Sequence, residues 1–217
     1  MVAIIDYDAG NIKSVEKAVI ALGHEVKVTR DRAEILAAEH VILPGVGSFG
    51  DAMGKLHEYA LTEIIHEVVE QKTPFLGICL GLQLMFESSE ESEGIEGLGL
   101  LPGKIVRIPD KEELKVPHIG WNSLKFPNKG ILFEGLPEES YVYFVHSYYL
   151  KAKEPKIVMA TTEYSTLIHA SVEKNNVFAC QFHPEKSSEV GMTILKNFLN
   201  TSREDFLTVN GKDGEEN

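Results

Sequence analysis

The hydrophobic pattern of the first half switches repeatedly between strand and helix periods. Val2–Ile5 is a short apolar run that ends at Asp6. Asn11 then stands where a helix cap belongs, with Ile12, Val15, Val19 and Leu22 at helical spacing and Gly23 at the C-terminal cap position. Residues 25–29 read as a strand, 32–38 as a short helix and 41–43 as a third strand, followed by a glycine-rich loop over 44–50. A helix pattern over 61–71 and a buried strand over 75–78, introduced by Pro74, complete this half. Such alternation predicts a parallel α/β sheet covered on both faces. Extended segments dominate the second half, at 104–108, 141–149, 157–161, 167–173 and 177–182, with a turn at Lys174, Asn175 and Asn176. A final amphipathic helix is expected over 188–199. The sheet should therefore be mixed, parallel first and antiparallel later.

Composition narrows the class. The 217 residues are 43% hydrophobic and 25% charged, enough to bury a core, and the length fits one domain over 1–200. Residues 87–96 hold five Glu and should be an exposed loop. Residues 201–217 carry two basic against five acidic residues and are expected to form a flexible tail. With 21 Lys plus Arg against 33 Asp plus Glu, the net charge of -12 repels phosphate backbones, so no nucleic-acid partner is expected. No apolar run reaches the roughly 20 residues that cross a bilayer, and Met1 to Asp6 lacks the basic start of a signal peptide. The two cysteines, Cys79 and Cys180, cannot build a disulfide framework and suit a reducing, cytoplasmic setting.

The chemistry concentrates at Gly77-Ile78-Cys79-Leu80-Gly81, where an apolar strand runs straight into a helix pattern. A nucleophile on so tight a turn needs small residues two before and two after it, which Gly77 and Gly81 supply. The thiol then sits at a helix N-terminus, where the dipole favours thiolate, and the Leu80 N–H can donate to an oxyanion. A thiol nucleophile needs a base and an orienter. His183 and Glu185, separated by Pro184, provide both if the extended chain projects them to one side. Gly45, Gly47 and Gly50 match a dinucleotide fingerprint, but no acid follows at the end of a later strand, so the loop reads as a backbone platform for an anionic centre. Asp6 and Asp8 resemble the start of a Mg-dependent phosphatase without its later acidic motif. The eight histidines are scattered and neither cysteine has a partner at zinc spacing, so no metal or cofactor is expected. His118 and His146 read as structural rather than catalytic. Trp121, the only tryptophan, reads either as core or as an exposed partner anchor.

Pro44-Gly45-Val46-Gly47, Gly77-Ile78-Cys79-Leu80-Gly81-Leu82-Gln83 and His183-Pro184-Glu185 occur in the order of the class I glutamine amidotransferases, which this chain resembles over residues 1–200. Asp6 to Asn11, Pro117 to Asn122 and Lys186-Ser187 are most similar to the members that serve histidine biosynthesis. The resemblance implies a flavodoxin-like α/β fold with helices on both faces of a mixed sheet. It also implies hydrolysis of L-glutamine by a Cys79, His183, Glu185 triad, with the oxyanion held by Leu80 and the Val46–Gly47 loop. Gly45, Gln83, Glu91, Ser147 and Tyr148 would bind the substrate, and Trp121 and Lys186 would face a (β/α)8-barrel cyclase in a heterodimer. That cyclase would use the ammonia to make imidazole glycerol phosphate and an aminoimidazole nucleotide. Asp8 departs from the family, which has glycine there. Three alternatives stay open: the glutaminase of another synthase such as that of pyridoxal phosphate, a free-standing cysteine hydrolase, and a non-catalytic binding module.

Overall fold

The computed structural model describes residues 1–207. The first half contains β1 (Val2–Ile5), α1 (Ile12–Ala21), β2 (Val26–Thr29), α2 (Arg32–Leu36), β3 (His40–Leu43), α3 (Phe49–Glu58), α4 (Leu61–Glu70), β4 (Phe75–Ile78) and α5 (Leu80–Leu84). The second half adds β5 (Ser88–Ser89), β6 (Gly103–Arg107), β7 (His118–Ser123), β8 (Tyr141–His146), β9 (Tyr148–Ala152), β10 (Val158–Tyr164), β11 (Thr166–Lys174), β12 (Val177–Cys180), α6 (Ser188–Leu199) and α7 (Glu204–Leu207).

The large sheet runs β2-β1-β3-β4-β12-β11-β9-β6-β5, with β10 paired to β11. Pairing is parallel from β2 through β12 and antiparallel from β12 to β11, β11 to β9 and β9 to β6, as the periodicity predicts. The four central parallel strands are buried along their whole length, which is why each reads as a near-continuous apolar run. Alternate residues serve opposite faces. Ala3, Ile5, Val41, Leu43, Phe75 and Ala179 pack with α3, α4 and α5, whereas Ile4, Ile42, Leu76, Ile78 and Phe178 pack with α1 and α6. Both faces are thus covered by helices.

Four sequence expectations need correction. The extended run 141–149 is two strands: β8 pairs only with β7 in a separate two-stranded sheet, and the chain changes sheets at Ser147 before β9 joins the large one. Helix α3 was hidden by Gly50 and Gly54; Ser48 caps it by accepting from the Asp51 N–H at 3.3 Å. Asn11 occupies the cap position of α1 in a left-handed conformation, and its side chain makes no capping bond. The chain also stays folded past residue 200: Phe206 on α7 is buried with its ring 5.8 Å from Phe178, and Arg203 donates to Thr73 at 2.6 Å. The remainder of the expected tail, 208–217, lies outside the described residues. Asp8 adopts a positive φ of 65° and is held there by Arg30 at 2.8 Å and by the Tyr59 hydroxyl.

A very close backbone approach lies beneath α5. A Cβ at Gly81 would fall 1.9 Å from the Leu43 carbonyl oxygen, so β3 and α5 touch backbone to backbone. At Gly54 a Cβ meets nothing within 4 Å. Gly81→Ala should therefore destabilise the protein by about 3 kcal/mol or more in urea unfolding, whereas Gly54→Ala should stabilise it by about 0.5–1 kcal/mol.

Candidate active site

Parallel strands leave their loops at one edge, and ligands of open α/β sheets bind at the carboxyl ends of the strands. At that edge the loops after β1, β3, β4 and β12 converge. Cys79 follows β4 with φ 55° and ψ -109°, a strained conformation for any residue but glycine. Its N–H donates to the Cys180 carbonyl at 2.8 Å, and its carbonyl accepts from the Leu82 and Gln83 N–H groups. The glycines work as expected, with a more specific reason. A Cβ at Gly77 would lie 2.8 Å from Gly81 backbone atoms, and one at Gly81 would strike β3. Helix α5 is only five residues long, so its dipole is weaker than the sequence pattern implies. Both cysteines are free and buried, but only Cys79 opens onto a cleft. Burial holds the Cys180 thiol well above its ordinary pKa.

His183 lies beyond the carboxyl end of β12, the strand beside β4, so adjacent strands deliver the sulfur and the imidazole to one place. The local geometry differs from an extended chain, because Pro184–Lys186 forms a 3-10 turn. That turn still brings Glu185 Oε1 to 2.7 Å from His183 Nδ1, with both side chains buried. His183 is fixed from behind as well: its backbone N–H donates to the Tyr143 carbonyl at 3.0 Å, and its carbonyl accepts from the Ser187 hydroxyl at 2.6 Å. Nε2 is buried without a hydrogen-bond partner among the described residues. Burial opposes a charge on His183, but the Cys79 sulfur and the Glu185 carboxylate outweigh it and lift its pKa to about 9. Asn11 joins the pair, its amide donating to Glu185 Oε1 and lying 3.4 Å from His183 Nδ1.

Cys79 and His183 open onto a cleft of about 290 Å³ that Val46, Gly47, Leu80, Gln83, Glu91, Ser147 and Tyr148 also line. That volume sits at the low end for ligand pockets, so it suits a small metabolite. Gln83 donates to the Tyr148 carbonyl and to Gln181 Oε1, each at 3.0 Å, and the Gln181 amide lies 3.8 Å from the Cys79 sulfur. Glu91 accepts from the Phe49 N–H at the start of α3 at 2.8 Å. The expected oxyanion donor is occupied: the Leu80 N–H bonds the Gly45 carbonyl at 3.3 Å. Gly45 is buried beneath the cleft, with no room for a Cβ beside the Tyr7 hydroxyl.

Trp121 projects from β7 half-exposed, edge-on to Tyr143 at 6.2 Å, so the core reading fails for it. Lys186 is exposed beside the triad, on the same turn as Glu185. Sequence reasoning missed Asn11, read as a cap, and Gln181. The available signal for Gln181 was its place two residues before His183 on an extended segment, where side chains share a face. His146, read as structural by itself and, from the resemblance, as part of the segment that would hold the backbone end of glutamine, lines the cleft.

Comparison with known proteins agrees with this geometry. The class I glutamine amidotransferase family model matches residues 3–201. Imidazole glycerol phosphate synthase subunit HisH of Moorella thermoacetica is 52% identical over 197 residues, covering 91% of this chain and 93% of that one. The HisH subunit of Methanocaldococcus jannaschii is 49% identical over 199 residues, covering 92% and 98%. Among solved structures, a glutamine amidotransferase superimposes with a TM-score of 0.72 at 20% identity, covering 92% of this chain and 97% of that one. PurLQS from Thermotoga maritima gives 0.69 at 20% identity, covering 92% and 97%. These structural likenesses bear on the fold, while the sequence matches fix the family: the chain belongs to the class I glutamine amidotransferases, among the HisH subunits of imidazole glycerol phosphate synthase.

Proposed function

We propose that this chain hydrolyses the side-chain amide of L-glutamine and passes the ammonia to a (β/α)8-barrel cyclase subunit in histidine biosynthesis, in the cytoplasm. The observation that carries the chemistry is the buried Cys79, His183, Glu185 constellation opening on a small cleft. With His183 charged near neutral pH, sulfur attacks the amide carbon as thiolate and the carbonyl oxygen becomes an oxyanion. His183 then protonates the nitrogen, the C–N bond breaks, and ammonia leaves behind a glutamyl thioester. Neutral His183 next takes a proton from water, hydroxide adds to the thioester, and collapse releases glutamate and restores the thiolate–imidazolium pair. Glu185 and Asn11 hold the imidazole throughout.

The Leu80–Gly45 bond bears on regulation. An oxyanion beside Cys79 needs the Leu80 N–H, so the Gly45 carbonyl must first swing out. Rotation of the Gly45–Val46 peptide frees Leu80 and turns the Val46 N–H toward the same point. Gln83, Glu91, Ser147 and Tyr148 position the glutamine, and Trp121 and Lys186 form part of the cyclase-facing surface. The closed oxyanion donor accords with a glutaminase that works only when its partner is seated. Ammonia released to water at neutral pH becomes ammonium, which is not a nucleophile.

Glutamine hydrolysis should be slow for the chain alone, rise on adding the cyclase subunit with its nucleotide ligand, and vanish in Cys79→Ala while folding and partner binding persist. Full turnover in that variant would remove the mechanism, and turnover indifferent to the partner would favour a free-standing hydrolase. Glu185→Gln should cut turnover by about 10²–10⁴-fold and lower the His183 pKa from about 9, read by NMR titration of the ring. The raised His183 pKa also sets a pH window. Its contribution to stability is complete below about 6.5, the unfolded value, and is lost as pH rises through about 9, so denaturant midpoints should fall across that window in wild type and less in Glu185→Gln.

A further inference from the structure

His118 and His146 face each other across the β7–β8 pair, both buried, with His118 Nδ1 3.1 Å from His146 Nε2. His146 Nδ1 lies 2.9 Å from the Tyr148 carbonyl, two residues along and across the sheet change at Ser147. A carbonyl only accepts, so His146 must carry a proton on Nδ1, and the neutral ring then presents a bare Nε2. That bare nitrogen accepts from His118, which must also be protonated on Nδ1. His118 Nε2 is then an acceptor, and the Asn122 amide stands 3.5 Å from it. The Asn122 oxygen accepts from the Ser123 N–H at 2.9 Å, which fixes the orientation of that amide.

This proton placement satisfies every member with both rings neutral. Burial supports this, lowering the pKa of His118 to about 4 and that of His146 to about 3. His146 faces His118 from β7 and His183 from the loop after β12. His118 lies between the Phe144 and Tyr164 rings, and neither histidine bonds a carboxylate among the described residues. The chain of bonds ends in the cleft: the Tyr148 carbonyl takes a second bond from Gln83, which also holds Gln181 beside the nucleophile.

We propose that His118 and His146 are positioning residues for glutamine, a neutral pair that fixes the Ser147–Tyr148 wall of the cleft and, through the Tyr148 carbonyl, the Gln83 side chain. This rests on the reading of the cleft as the glutamine site. His118 touches no part of the cleft and acts through His146.

The test uses the full chain with its cyclase partner and nucleotide ligand, and L-glutamine as probe. His118→Phe keeps an aromatic ring between Phe144 and Tyr164 but donates nothing. His118→Asn loses the stacking yet places an amide N–H where Nδ1 was. The hydrogen-bonding role gives His118→Phe a KM raised about tenfold with kcat within about threefold, and His118→Asn close to wild type. The reverse order would mean that His118 serves only as packing and would overturn the proposal, as would equal impairment of both or wild-type KM in both. Nitrogen NMR of the folded chain provides an arm independent of turnover: both rings should show the Nδ1–H tautomer and stay neutral at pH 6. An Nε2–H tautomer or a charged ring at that pH would overturn it. Failure of the glutaminase reading itself looks different, since wild-type protein beside its partner would then leave glutamine intact.

Discussion

The contact between Gly81 and the Leu43 carbonyl sets the geometry on which the site depends. Because α5 starts so close to β3, the chain leaving β4 must reverse within one residue, and Cys79 takes the strain. The same proximity brings the loop after β3 under the nucleophile, so the Gly45 carbonyl reaches the Leu80 N–H. A side chain at either glycine of the elbow would lift α5 away from β3 and shift the sulfur. The nucleophile's position is thus decided by backbone packing beneath it, before any polar group acts.

Two buried histidines within this site occupy opposite states for identifiable reasons. His183 meets a carboxylate and a sulfur, whose negative charge outweighs the cost of burial. His146 meets a carbonyl and another imidazole, which compensate a proton poorly, and desolvation keeps it neutral. The two rings are near enough that a charge on His183 further disfavours one on His146. The positive charge is thereby confined to the ring paired with Glu185.

The parallel half of the fold was legible because strands buried on both faces leave uninterrupted apolar runs between helical periods. The sheet change at Ser147 was not. Alternation continues from Tyr141 through Tyr149 without glycine or proline, so two strands in two sheets read as one. Cys79, His183 and Glu185 were legible because their constraints are local: glycines flank the elbow, and proline separates base from orienter. Asn11 was not, since an asparagine before an apolar helix carries the same signature whether it caps the helix or reaches the Glu185 carboxylate 174 residues away. The closed state of the Leu80 donor was equally invisible, because it depends on the direction of one peptide plane.

Strand β12 is made from residues 177–180, yet it lies in the middle of the sheet between β4 and β11. A chain emerging from the ribosome therefore completes β1 to β4 with one sheet edge open and apolar, and no internal strand can close it until residue 180 has emerged. During that interval Cys79 has neither the Cys180 carbonyl that anchors its N–H nor the His183 imidazole that shares its cleft. Synthesis order thus delays assembly: a chain made only as far as β12 carries the Cys79 thiol without His183 or Glu185, and α6 has yet to cover one face of the sheet.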